Sequence, residues 1–330
     1  MSCESQSYPI CPIGTKGEKW GDAERQQWRA LQTKKRDYNT DVVEHVKATF
    51  DKNAALAAVA EIVPYGTLDY THLGLPKYDL IAVKSKEFRK DLRTVLVTGG
   101  VHGYETSGVH GAMLFIAERF AEFASKLNVL VLPCVSPWGY ETVNRWNPDA
   151  VDPNRSFKHA APGCNEAALA MSFVTDVSRD AGDLLIHLDL HETTDTDNSE
   201  FIPAKFARDG IEPEEWSEIP DGFYLIGDSS RADQDEIHVA MIEAVRHVTH
   251  IAPADEHGCI AGLPKMFDGV VASNGERLSV CKSFTNATYV TTTEVYPDSP
   301  KTSAEECNRA QITCVVAGIN YAFAAKVLAN

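Results

Sequence analysis

Hydrophobic positions along this chain fall into short runs, and the period of each run predicts its element. Between residues 22 and 60, Trp28 and Leu31, then Val42, Val43, Val46 and Phe50, recur at helical spacing and predict two polar-surfaced helices. From Ile62 the pattern changes. Tyr65, Leu68 and Tyr70, followed by Tyr78, Leu80, Ile81 and Val83, predict a strand pair around a Gly74-Leu75-Pro76 turn. Strands are then predicted at 94–98, 128–133, 184–190, 222–227 and 288–295. Helices are predicted over about 106–123, 166–177, 235–250 and 304–328. Strands alternating with helices predict an α/β fold: a mixed, mostly parallel twisted sheet with helices on both faces. In such a sheet ligands gather outside the carboxyl ends of the strands, and the polar clusters of this chain fall there.

Composition narrows the class. Of 330 residues, 44% are hydrophobic and 24% charged, which excludes a disordered or fibrous chain. The 47 acidic against 31 basic side chains give a net charge of −16, so nucleic acid and anionic membrane surfaces are not expected as partners. The most apolar stretch, Cys314 to Lys326, is too short to span a bilayer and carries Asn320 and Lys326, so it predicts a buried terminal helix. The first nine residues carry neither a basic nor an apolar segment of the secretory kind, which predicts a cytoplasmic protein. None of the eight cysteines forms a Cys-x-x-Cys pair, and reduced, mostly buried thiols are expected.

Four clusters carry chemistry. The first, Gly99-Gly-Val-His102-Gly-Tyr-Glu105, follows a strand and aims an imidazole and a carboxylate at one point, as two ligands of a zinc site would be. The second is His187-Leu-Asp-Leu-His191-Glu-Thr-Thr. Alternation puts His187 and His191 on one strand face, with His191 at the carboxyl end as the third ligand and His187 as a hydrogen-bonded core histidine. The third, Arg145 to Phe157, is rich in loop formers with Arg145, Asn154 and Arg155, and reads as a solvated loop or an anion site. The fourth, Thr291-Thr-Thr-Glu294, ends a β-branched strand in a carboxylate, which is an exposed end, a salt bridge or a catalytic group.

In this order the clusters resemble the M14 metallocarboxypeptidase family. The resemblance rests on Gly-Gly-Val-His102-Gly-Tyr-Glu105, Pro137-Trp-Gly-Tyr-Glu, Arg145-x-Asn147, Val151-Asp-Pro-Asn154-Arg155-Ser-Phe157, Asp189-Leu-His191-Glu and Thr292-Thr-Glu294, across about residues 95 to 295. It implies that His102, Glu105 and His191 hold one zinc ion per chain with a position open for water. It implies Glu294 as general base and Arg145 as the group that polarises the scissile carbonyl. Asn154 and Arg155 would clamp a substrate carboxylate, and Asp152 would orient His102. Tyr104 stands where some members carry an arginine, Ala150 replaces a usual glycine, and no tyrosine matches the family's mobile-loop residue. The acidic stretch from Thr196 to Gly222 is expected to be a solvated loop.

The resemblance implies a zinc-dependent carboxypeptidase domain over residues 61–330, with residues 1–60 as a helical extension packed on its core. The alternative is an N-acyl amino acid amidohydrolase of the desuccinylase and aspartoacylase branch, whose appended β-domain has no room in the 36 residues after Glu294. A binding module on an inactive scaffold would lack a ligand, base or clamp residue, and none is missing. The expected partner is a peptide or acyl amino acid with a free carboxylate.

Overall fold

The computed structural model describes residues 7–179 and 181–327. Helix α1 (Asp22–Ala30) leads through a π-helical segment (Asn39–Glu44) into α2 (His45–Lys52) and α3 (Ala54–Val59). Strands β1 (Ala60–Asp69), β2 (Lys77–Ser85) and β3 (Thr94–Gly99) precede α4 (Thr106–Glu118) and α5 (Phe120–Ala124). Next come β4 (Asn128–Leu132), α6 (Pro137–Thr142), α7 (Asn165–Ser178), β5 (Leu184–Leu190) and α8 (Ile202–Asp209). Then follow β6 (Tyr224–Asp228), α9 (Asp235–Val245) and three short strands, β7 (Cys259–Ile260), β8 (Leu263–Phe267) and β9 (Val270–Ser273). The chain closes with α10 (Gly275–Leu278), β10 (Tyr289–Glu294) and the long α11 (Ala304–Val327).

One sheet runs β1-β2-β4-β3-β5-β10-β6-β9-β8-β7. Its centre, β4-β3-β5-β10, is parallel, while β1-β2, β2-β4, β10-β6 and β8-β9 pair antiparallel. The parallel pairing is thus concentrated where strands are covered on both faces. Alternation divides their side chains between two cores. Val95, Val97, Val129 and Val131 pack with α4, α9 and α11; Leu96, Leu130 and Leu132 pack with Ala167, Ala170 and Met171 of α7. Truncating such a buried leucine to alanine costs about 2–5 kcal/mol. Among the described residues seven cysteines are free, four of them buried, and Cys3 lies outside them. No helix among these residues is long and apolar enough to cross a membrane.

Two stretches depart from expectation. The acidic segment after Thr196 is not a solvated loop in its first half. A π-helical turn (Asp197–Phe201) and α8 bury Asp197, Asn198, Phe201, Pro203, Ala204 and Phe206. The polar composition concealed an amphipathic helix whose apolar face docks on the core. The second is 259–273, where three strands form an exposed sheet edge; β8 lacks the buried alternation that a sequence pattern reads.

Candidate metal and substrate site

The carboxyl ends of β3, β5 and β10 lie in register, Gly99 opposite Leu190 and Leu190 opposite Thr293. His102, His191 and Glu294 therefore leave the sheet at one edge. The turn out of β3 depends on glycine. Gly100 takes a φ of 59°, and a Cβ on Gly103 would stand 2.0 Å from the Tyr140 nitrogen. Glu105 ends this turn and Thr106 begins α4. The Glu192 carboxylate takes the N–H groups of Thr106 (2.9 Å) and Ser107 (2.7 Å), so it anchors the positive end of α4 beside the site. Burial raises this carboxyl to about 7 against those hydrogen bonds.

His102, Glu105 and His191 are all buried, with ligand atoms within 4.8 Å of one another. Each ring turns Nδ1 toward Glu105, at 2.7 Å for His102 and 2.6 Å for His191. Each ring turns Nε2 toward a second carboxylate: Asp152 at 3.0 Å for His102 and Asp189 at 2.9 Å for His191. Carboxylates only accept, so they fix the Nε2–H on both rings and leave each Nδ1 to carry a second proton or a cation. Burial opposes charge on His191, but Glu105 and Asp189 overcome it and hold the ring well above its ordinary range. Burial would likewise raise Glu105, yet the two histidines hold it below the usual carboxylate range. Glu105 is buried and divides its oxygens between the rings, Oε1 toward His102 Nδ1 and Oε2 toward His191 Nδ1. Two imidazole nitrogens converging on one buried carboxylate in a closed corner form a donor set that fits a zinc ion.

The loop after α6 brings up the remaining residues. Its outer side is gripped by the N-terminal helix: Arg25 donates to the Asp149 carbonyl (2.7 Å) and Arg29 to that of Pro148 (2.8 Å), while Trp28 packs on Trp138 and Trp146. Ala150 holds a φ of 56°, which explains why glycine would suit the position, and Arg208 donates to its carbonyl at 2.9 Å. Arg145 donates through Nε to Asp152 (3.1 Å) and lies 3.4 Å from both the Tyr104 hydroxyl and Asp197. Tyr104 donates to Asp197 at 2.8 Å. Burial raises the Asp197 carboxyl, against the pull of Arg145.

Arg155 keeps an exposed side chain and donates to the Asn154 carbonyl at 2.7 Å. Asn154 differs from the expected free clamp. Its amide oxygen accepts the Cys281 N–H (2.7 Å), and its nitrogen faces His191 Nε2 at 3.3 Å. The backbone donor fixes the orientation of the amide, so its nitrogen lies beside the His191 ring, whose Nε2–H is committed to Asp189. Glu294 is half-buried, accepts from the Thr193 hydroxyl at 3.0 Å, and is raised by burial to about 8. His187 lies behind the site, wholly buried, against the hydroxyls of Thr98 (3.1 Å) and Thr285 (3.3 Å); burial lowers it to about 4.

The structure thus gathers His102, Glu105, His191, Asp152 and Arg145 into one connected network, with Asn154 on its edge. Three members carried no assignment from sequence. Asp189 shares the strand face of His191, so alternation could have found it. Tyr104 and Asp197 meet Arg145 only through the fold.

Residues 91–216 match the model of the succinylglutamate desuccinylase/aspartoacylase catalytic domain family. No curated protein matches the chain. Among solved structures, a metallopeptidase candidate from Shewanella amazonensis SB2B superposes with a TM-score of 0.61 at 18% identity, over 84% of this chain and 91% of that one. Bovine thrombin-activatable fibrinolysis inhibitor, in complex with tick carboxypeptidase inhibitor, superposes at 0.57 and 10% identity, over 90% and 99%. A metallo-carboxypeptidase from Pseudomonas aeruginosa, in complex with (2-guanidinoethylmercapto)succinic acid, superposes at 0.50 and 14% identity, over 83% and 67%. The fold is carboxypeptidase-like, and residues 91–216 are similar to the desuccinylase/aspartoacylase catalytic domain.

Proposed function

We propose that the chain is a zinc-dependent hydrolase that cleaves the amide bond next to a free carboxylate, acting as a carboxypeptidase on the C-terminal residue of peptides. The observation that carries this reading is the buried corner of His102, Glu105 and His191, whose Nε2–H groups are held by Asp152 and Asp189 while both Nδ1 atoms converge on the Glu105 carboxylate. His102, Glu105 and His191 would hold the ion. When bound there, zinc supplies Lewis acidity toward water and the scissile carbonyl.

The other roles follow from the side chains. Glu294, once ionised, accepts a proton from the attacking water and delivers it to the leaving nitrogen. Arg145 donates to the carbonyl oxygen as negative charge develops on it. Arg155, exposed beside the corner, offers its guanidinium to the substrate carboxylate. A second reading, hydrolysis of N-acyl amino acids, is favoured by the match of residues 91–216 to the desuccinylase and aspartoacylase model. The two readings share the bond broken and the carboxylate recognised, and differ in the acyl side.

The test is a panel of peptides differing only in the last residue, each with free and amidated ends, set beside N-acyl amino acids. Amino acid release from free-ended peptides by the zinc-loaded protein supports the first reading. Release from acyl amino acids alone supports the second. Equal turnover of free and amidated ends removes both.

A further inference from the structure

Along α4 lies a groove of about 590 Å³, lined by none of the residues assigned to the chemistry above. Its lining is ordered along the helix. Thr106 and His110 stand toward the N-terminus, and Met113 and Leu114 toward the C-terminus, so a polar end passes into an apolar wall. At the polar end Arg36 lies over the Tyr140 ring, 5.2 Å from its centre, and the Tyr140 hydroxyl lies 3.3 Å from His110 Nε2. Asp41 lines the same end. Burial of the Tyr140 hydroxyl raises it above its ordinary range, and Asp41 adds to the shift while Arg36 opposes it, which places both charges around one hydroxyl.

Neither Arg36 nor Asp41 makes an ion pair within 4.0 Å among the described residues, with each other or with any third group. Both are half-buried, and Arg36 Nη1 is fully buried without a hydrogen-bond partner. A cation without an acceptor in a chain of net charge −16 is held there at a cost in solvation. The Asp41 carboxylate accepts the Asp37 N–H at 3.1 Å and neighbours the Tyr140 hydroxyl, which leaves lone pairs for a further donor; opposite charges that share a cavity without an ion pair complement a ligand carrying both.

We propose that this groove binds a free α-amino acid with an aliphatic side chain. Its carboxylate would meet Arg36, its ammonium Asp41, and its side chain Met113 and Leu114. A plain carboxylate would leave Asp41 opposing it, and an amine would leave Arg36 opposing it. Thr106 lines the groove and directly follows Glu105, so occupancy bears on the first turn of the helix that presents that carboxylate. The assignment stands apart from the hydrolytic reading and needs no turnover to test.

The experiment is a titration of the zinc-loaded full chain carrying 13C-methyl methionine, with leucine as the probe and the Met113 signal as readout. Leucine should shift Met113 saturably in the wild-type protein and equally in Arg155→Gln, which is altered only beside the metal corner. Arg36→Gln should weaken the interaction at least about tenfold, as should replacing leucine by leucinamide. Asp41→Asn should weaken leucine but not 4-methylpentanoate, which lacks the ammonium, and this second variant serves if Arg36→Gln melts early. An unmoved Met113, equal affinity in Arg36→Gln, or a response abolished by Arg155→Gln would each overturn the proposal.

Discussion

The metal corner and the substrate corner of the site are held by different means. His102, Glu105 and His191 leave adjacent strand ends, are buried, and have both ring Nε2 atoms bound by carboxylates that are themselves engaged, Asp152 by Arg145 and Asp189 by the Thr98 hydroxyl at 2.6 Å. Arg145, Asn154, Arg155 and Asp197 sit on connections, and their positions come from distant props: Arg25 and Arg29 behind the loop, Arg208 on Ala150, Tyr104 on Asp197. One corner is fixed by the sheet, the other by side chains from elsewhere. Changes at the first should therefore be absolute, and changes at the second graded.

The sharpest break comes at the metal. His102→Ala removes one of the two proposed nitrogen ligands and leaves Asp152 with Arg145 alone among its charged partners; elemental analysis should find zinc reduced to background, with activity abolished. Retention of full zinc content would move the metal elsewhere. Glu294→Gln keeps shape and removes the proton acceptor, so zinc content should hold while kcat falls about 10² to 10⁴-fold. A near-normal kcat would move the base. Glu192 is a poor replacement, because its oxygens already accept two N–H groups of α4. At the substrate corner, Arg155→Gln should cost about 2–4 kcal/mol in kcat/KM on free-ended substrates and little on amidated ones. Equal losses on both would place Arg155 outside carboxylate recognition.

The same contrast explains what could be read from sequence. His102, Glu105 and His191 are legible because residue type, spacing and strand position all point one way. So were the strands of the sheet centre, where burial on both faces leaves continuous apolar runs. Asp197 was not legible: its neighbours are polar, its partner Arg145 is far along the chain, and the burial that gives it meaning comes from Phe201 and Phe206 docking. Asn154 was legible as a residue but not as a contact, since the Cys281 N–H that turns its amide inward belongs to a stretch without readable periodicity.

A smaller effect tests how protons stand in for the ion. In the metal-free protein His191 is raised and Glu294 and Glu192 reach about 8 and 7, so the folded state binds protons more tightly than the unfolded chain. That stability is fully present at low pH. For the two carboxyls it is lost from about pH 4.5, their ordinary value, up to those raised values, and for His191 above pH 6.5. Buried histidines held below their ordinary range, His187 and His238, offset this up to pH 6.5, so the chelated protein should melt progressively lower between about pH 6.5 and 8. Zinc binding should release protons, measurable by calorimetry in buffers of differing ionisation enthalpy. Asp189→Asn, which loosens the His191 tautomer, should weaken zinc about 10 to 100-fold. Zinc uptake without proton release would mean that the Nδ1 atoms do not face the ion.

The least effect is expected where the substrate corner is most heavily propped. Asp197 is one of two carboxylates on Arg145, and Asp152 remains when it is neutralised. Asp197→Asn keeps the side-chain shape but only one of the two acceptor oxygens, which in the native side chain take the Tyr104 hydroxyl and the Thr194 N–H separately. It removes a charge that burial already disfavours. Arg145 then has one fewer anion competing with the carbonyl oxygen, so kcat/KM should change by less than about fivefold, with stability lowered by about 1 kcal/mol through weaker hydrogen bonds. Steady-state kinetics and a thermal melt separate the outcomes. A loss of a hundredfold or more with an unchanged melt would give Asp197 a direct part in the chemistry, and the substrate corner would then be as unforgiving as the metal one.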